Sequence, residues 1–290
     1  MTRMNRRRFL TIAAASLALP KGALAAESAT WRGQAMGAPT VMTLAGISAT
    51  QAAPIFVRVE QELLRLEGIF SLYRESELVR LNSDARLAAP SAELLEVLSL
   101  SDGLWRASGG VFDPSVQPLW LARAGLSDRT GPLGWGNLRF DAREIEMKPG
   151  MALTLNGIAQ GYITDRIAAL LQSEGLRDVL MDMGEVAAMG TRADGSVWRA
   201  GVATPEGEVV HRLTLRDRAL ATSAPTGTMV GEAGHIMNPN GTPPTRNLVA
   251  VSAPRAVLAD GLSTALCLLP PAEGDALVAR YPGAKIEIST

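Results

Sequence analysis

The stretch Leu155-Asn156-Gly157-Ile158-Ala159-Gln160-Gly161-Tyr162 runs into an apolar helical stripe, Ile163, Ile167, Leu170 and Leu171, that predicts a helix over Gly161 to Gly175. Val179 to Met183 follows at once as an apolar run of strand type. Further short runs of the same type come at Val197 to Val202, Val209 to Leu215, Ala219 to Ser223, Leu248 to Val251 and Lys285 to Ile288. A last apolar helix, Ala256 to Leu269, ends before Pro270-Pro271. Upstream, a strand at Thr40 to Leu44 precedes helices at Ala53 to Glu67 and Ser91 to Ala107, the second opened by Ser91 and closed by Gly109-Gly110. Helices and strands interleave without a strand-helix-strand period, which predicts an α+β fold rather than a doubly wound one.

With 47% apolar and 20% charged side chains in 290 residues, the chain can bury a core, which excludes a disordered polymer. Its one cysteine, Cys267, has no disulfide partner, so a disulfide scaffold is excluded too. A net charge of -1 argues against a general nucleic-acid binder. That total hides an asymmetry. Residues 1–25 hold Arg3, Arg6, Arg7, Arg8 and Lys21 and no acid, then an apolar stretch from Ile12 to Leu19 and the small residues Ala23-Leu24-Ala25. Basic, apolar and small in that order is the pattern of a secretory signal. Asn5-Arg6-Arg7-Arg8-Phe9-Leu10 resembles a twin-arginine export signal, so the expectation is cleavage after Ala25, periplasmic location, no lipid anchor and one domain over residues 26–290. Removing five basic residues leaves 23 against 29 acids, a mature charge of about -6.

Six polar or glycine-rich breaks carry the candidate chemistry. Gln34 to Thr40 is a turn entering a strand, and Phe70-Ser71-Leu72-Tyr73-Arg74 sets an aromatic ring beside an arginine, where it can stack on a flat ligand or belong to the core. In Gly109-Gly110-Val111-Phe112-Asp113-Pro114-Ser115-Val116, the proline holds Asp113 extended, so its carboxylate can point out of the turn. Gly157 and Gly161 can expose backbone groups at a helix start, where phosphate binds well, although the P-loop and dinucleotide spacings are absent. Ala221-Thr222-Ser223 precedes Gly234-His235-Ile236-Met237-Asn238-Pro239-Asn240-Gly241, in which His235 is an acid/base or phosphate-contact candidate, with a structural histidine as the other reading. Asp260 and Thr264, four apart on a helix, can share a hard cation such as Mg²⁺; Asp260 as a simple helix cap is the alternative.

Taken in order, Ala35-Met36-Gly37, Phe70 to Arg74, Gly109 to Val116, Leu155 to Tyr162, Ala221 to Ser223, His235 to Gly241 and Ala259 to Leu266 resemble the ApbE family, the FAD:protein FMN transferases, over nearly the whole mature chain. The resemblance implies a T-fold-like arrangement of mixed or antiparallel sheets with helices. It also implies cleavage of the FAD pyrophosphate, with FMN attached to a Thr or Ser of a partner flavoprotein and AMP released. Carried over residue by residue, Met36, Tyr73, Val111, Phe112, Asp113, Thr154, Gln160 and Ile236 would form the FAD site. Gly157, Asp260 and Thr264 would hold Mg²⁺, and His235 or Asp260 would assist the attacking hydroxyl. Thr154 stands where many relatives carry an acid and Gln160 where others have a charged residue, which implies weaker contacts there. The signal and the loop at Leu155 also resemble variants linked to nitrous-oxide respiration, so a membrane flavoprotein of that system is the acceptor implied. Two other functions are compatible with such a site: noncatalytic flavin delivery, and an FAD pyrophosphatase in which water replaces the acceptor.

Overall fold

A computed structural model describes residues 27–127 and 131–290, so the export pattern of residues 1–25 lies outside the described residues. The chain opens with a hairpin of β1 (Ser28–Ala35) and β2 (Ala38–Ala45). Next come α1 (Ala49–Phe70), α2 (Glu77–Asp84), β3 (Arg86–Ala88), α3 (Ala92–Ala107), α4 (Gln117–Arg123), β4 (Arg139–Phe140) and β5 (Glu144–Glu146). α5 (Ala159–Ser173) leads into β6 (Val179–Asp182), β7 (Val186–Met189), β8 (Trp198–Ala203), β9 (Val209–Leu215) and β10 (Arg218–Ser223). The chain closes with β11 (Met229–Val230), β12 (Ala233–Gly234), β13 (Val249–Ala253), α6 (Ala256–Leu266), α7 (Pro271–Val278) and β14 (Lys285–Ser289).

Seven strands form one sheet in the order β1-β2-β6-β7-β10-β13-β14, with every neighbouring pair antiparallel. The α+β expectation is met. Central strands β7 and β13 are buried at every residue, which is why Val249 to Ala253 reads as a continuous run of small and apolar side chains rather than an alternation. One face carries Met42, Leu44, Met181 and Val251 into a core shared with Leu63, Leu98, Ile167 and Leu262 of the helices. On the other face, Val186, Ala188, Leu220 and Ala250 meet Trp198, Ala200, Val202 and Leu215 of the β8–β9 hairpin. Burying each such aliphatic side chain contributes ~1.5–3 kcal/mol, so both faces of the central strands are anchored. Among the described residues, no helix is long and apolar enough to cross a membrane.

Helix α1 begins earlier than its apolar stripe suggests, because Ser48 and Gln51 form a reciprocal capping box. Helix α5 also starts two residues before the expected Gly161, and α6 stops at Leu266. The carbonyls of Cys267 and Leu269, just beyond α6, are taken by Thr245, through its N–H at 2.9 Å and Oγ1 at 2.7 Å.

Helices α5 and α6 cross closely at their N-terminal ends. Asp165 of α5 accepts from the N–H groups of Ala256 and Val257 at 2.7 and 3.2 Å, so it caps α6. Asp260 of α6 accepts from the N–H of Gly161 at 3.0 Å and caps α5 in return. Each helix start thus has at least one orphan donor taken by an aspartate of the other helix, at the positive end of its dipole. The approach is close enough that a Cβ on Gly161 would lie 2.4 Å from the carbonyl oxygen of Ala256. Backbone cannot yield there as a flexible side-chain tip would. Gly161→Ala is therefore expected to cost about 1–3 kcal/mol, measured as a lowered urea midpoint at unchanged slope; an unchanged midpoint would show that the helices can part without penalty.

Candidate functional site

The loop before α5 and the first turn of that helix lie on this crossing and reach α6 and the turn between β6 and β7. At one end, Gly157 faces α6: a Cβ there would sit 3.0 Å from Thr264 Oγ1. At the other, Gln160 donates from Nε2 to the carbonyl of Met183 at 2.5 Å, bracing the turn between β6 and β7. Gly184 in that turn has φ of 89°, and a Cβ on it would fall 1.8 Å from Gln160 Nε2, so only glycine suits the site. Asp260 and Thr264 lie one helical turn apart, as their spacing predicts. From β10, Ser223 Oγ bonds to Ser263 Oγ at 2.8 Å and to Thr264 Oγ1 at 3.4 Å. Behind it the buried Cys267 thiol contacts the Ser223 carbonyl, and burial pushes that thiol up to about 12.

Three carboxylates converge here. Burial pushes Asp260 up to about 7, although the Gly161 N–H favours its charged form. Asp182, at the end of β6, is pushed by burial up to about 6. Glu185 is held well above the usual carboxylate range, by burial first and then by the charges of Asp260 and Asp182. The donor types would suit a hard divalent cation: the carboxylate of Asp260, the hydroxyl of Thr264 and the backbone carbonyl of Gly157 all present oxygen. The set is mixed, and no group of three His, Cys, Asp and Glu side chains among the described residues gathers in metal-binding fashion.

His235 stands on the following loop. Its backbone N–H donates to the carbonyls of Pro225 and Thr228, each at 3.0 Å, and its Nδ1 lies 3.1 and 3.2 Å from the same two oxygens. Since carbonyls only accept, Nδ1 carries the proton and Nε2 the lone pair. Gly234 permits this clamp, because a Cβ there would lie 2.2 Å from the Pro225 oxygen. Burial lowers the imidazole below its usual value, and the two carbonyls offset this only in part. The arrangement is that of a neutral ring prepared to accept a proton at Nε2.

Of the remaining candidates, Tyr73 and Thr154 contact the helix-start loop or its flank. Met36 is buried at φ of 51°, its N–H donating to Glu67 Oε1 at 2.8 Å, while Glu67 Oε2 pairs with Arg74 at 2.8 Å. Arg74 is thus an ion-pair partner rather than a stacking group. Tyr73 presents a largely exposed ring and hydrogen-bonds the Asn156 side chain, next to Gly157. Thr154 joins its N–H to the carbonyl of Pro114 at 2.8 Å, linking the Val111–Asp113 segment to the helix-start loop. Phe112 and Ile236 are buried, and Val111 is half-buried.

Two sequence expectations change. Asp113 is extended as expected, yet its carboxylate turns inward: Oδ1 accepts from Ser115 N–H at 2.8 Å and Oδ2 from Trp135 N–H at 3.2 Å, because two turn amides need partners. The Gly161 amide, expected to be open to phosphate, is taken by Asp260. Asp165, Asp182 and Glu185 escaped the sequence reading. The signal for Glu185 was there in Asp182-Met183-Gly184-Glu185, two acids flanking a glycine turn between apolar strands.

The profile described as the ApbE family matches residues 36–287. A Klebsiella pneumoniae protein named FAD:protein FMN transferase is 25% identical, over 85% of this chain and 80% of that relative. The solved flavin transferase ApbE from Vibrio cholerae superposes with a TM-score of 0.76 at 23% identity, over 91% of this chain and 97% of that one. The Pseudomonas stutzeri flavinyl transferase ApbE, in its apo form, gives 0.72 at 26% identity, over 88% of each chain.

With only two histidines in the chain, the imidazole of His235 can be followed directly by NMR, its signal assigned by loss in His235→Asn. Its titration midpoint is expected below the usual ~6.5, leaving the ring neutral at pH 7 and charged only as pH falls through that lowered value. A midpoint at or above 6.5 would contradict the buried, Nδ1-protonated geometry.

Proposed function

The chain belongs to the ApbE family, and from that premise we propose that it transfers FMN from FAD to a Thr or Ser hydroxyl of a partner flavoprotein, with Mg²⁺ as cofactor and AMP as the leaving product. The observation that carries this reading is the meeting of Gly157, Asp260 and Thr264, from two distant parts of the sequence, at the α5–α6 crossing. Mg²⁺ held by these oxygens would draw off the charge that builds on the pyrophosphate as it is cut. The protein groups do the rest. The exposed ring of Tyr73 offers a flat surface beside the loop, and His235 Nε2 takes the proton from the acceptor hydroxyl. That oxygen forms a bond to the FMN phosphorus as the phosphorus–oxygen bond to AMP breaks, and the bridging oxygen leaves with AMP. The basic, apolar and small pattern of residues 1–25 supports export, so the acceptor hydroxyl faces the periplasm; a membrane electron-transfer flavoprotein fits that setting.

The test mixes the mature protein with FAD, Mg²⁺ and a candidate acceptor, and reads covalent flavin on the acceptor by in-gel fluorescence and intact mass. One added FMN, lost when a single acceptor Thr or Ser is replaced, is expected. Asp260→Ala is expected to abolish transfer, and His235→Asn to slow it by about 10²–10⁴-fold while FAD still binds. Free FMN and AMP without labelled acceptor would instead identify a pyrophosphatase, and bound FAD without turnover a carrier.

A further inference from the structure

The turn between β6 and β7 carries a carboxylate that the reaction above does not use. Glu185 is 7% exposed, and its carboxylate receives the backbone N–H of Thr222, yet Oε2 has no hydrogen-bond partner among the described residues. Among the described residues no basic side chain compensates it; the charges that reach it are those of Asp260 and Asp182, both of its own sign. A buried, unpaired carboxylate oxygen among other acids is a costly arrangement unless a cation or a polarised water belongs there.

The turn is also firmly held. Met183 donates its N–H to the Glu185 carbonyl at 2.9 Å, and Gln160 fastens the Met183 carbonyl from the first turn of α5. The segment that lays Gly157 against Thr264 therefore also fixes the backbone bearing Glu185. The nearby hydroxyls do not meet the orphan oxygen: those of Ser223, Ser263 and Thr264 are joined to one another.

We propose that Glu185 is a further acid of the divalent-cation site of Gly157, Asp260 and Thr264, its Oε2 accepting from a water in the cation's coordination shell. The inference rests on the reading above that this site takes a divalent cation. Glu185 acts as a positioning residue: it orients the cation's water and adds negative charge behind Asp260, as outer partners of metal ligands do.

Mn²⁺ titration followed by EPR, counting free ion, tests this on the intact mature protein without substrate. Glu185→Gln is expected to weaken Mn²⁺ binding by about 10–100-fold, while the Gln carbonyl keeps the Thr222 bond and the metal-free melting temperature does not fall. Glu144→Gln, at a surface pair with Arg86, is expected to leave Mn²⁺ binding unchanged. Wild-type affinity in a folded Glu185→Gln variant would overturn the inference while leaving the cation site intact. Failure of the wild-type protein to bind Mn²⁺ would overturn the cation reading itself. Should Glu185→Gln not fold, Glu185→Asp decides: withdrawing the oxygen by one methylene is expected to weaken Mn²⁺, and unchanged affinity would refute the role.

Discussion

The crossing of α5 and α6 is the constraint on which the rest of the molecule depends. Two helix starts placed together would each leave unpaired amide donors in a dry interior, and like dipole ends would repel. Here each is answered by an aspartate of the other helix, Asp165 for α6 and Asp260 for α5, with Gly161 supplying the space. Asp260 therefore serves two ends at once. As a cap it ties α6 to α5, and it stands one helical turn from Thr264, the residue that Gly157 faces. The start of α5 is not satisfied without Asp260, and the start of α6 is not satisfied without Asp165, so the joint forms only when both helices are in place.

From that joint, short tethers reach outward and give the surrounding loops their places. Thr154 binds the Pro114 carbonyl, Asn156 meets the Tyr73 hydroxyl, and Gln160 braces the turn of Gly184. Ser223 connects β10 to α6, and two residues later the Pro225 carbonyl begins the clamp on His235. Segments tens of residues apart thus meet through single hydrogen bonds rather than through one continuous wall. Glycine at each close approach keeps backbone near backbone where a side chain would hold the pieces apart.

What could be read from the sequence follows from this design. Local patterns were legible: the stripe of α5, the strand run Val209–Leu215, the Ser91 and Gly109-Gly110 ends of α3, and the one-turn spacing of Asp260 and Thr264. The direction of side chains was not legible where long-range partners decide it. Asp113 turns inward because Trp135, 22 residues on, needs an acceptor. Gln160, expected at the dinucleotide, spends its amide on a strand turn. Nothing local to Asp165 predicts that it caps a helix 91 residues away. Strand β7, Val186 to Met189, is missed for a related reason: four small or apolar residues in a row have no alternation when both faces are buried.

The thiol of Cys267 lends the site a chemical permanence. It lies at no measurable exposure directly behind Ser223 and ionises only near pH 12. Disulfide exchange and peroxide attack both require a thiolate that solvent can reach. A protein sent into an oxidising compartment usually either discards its cysteines or locks them in pairs. Here a single sheltered sulfur serves as packing material, so the floor beneath Ser223 is the same in reducing and oxidising surroundings.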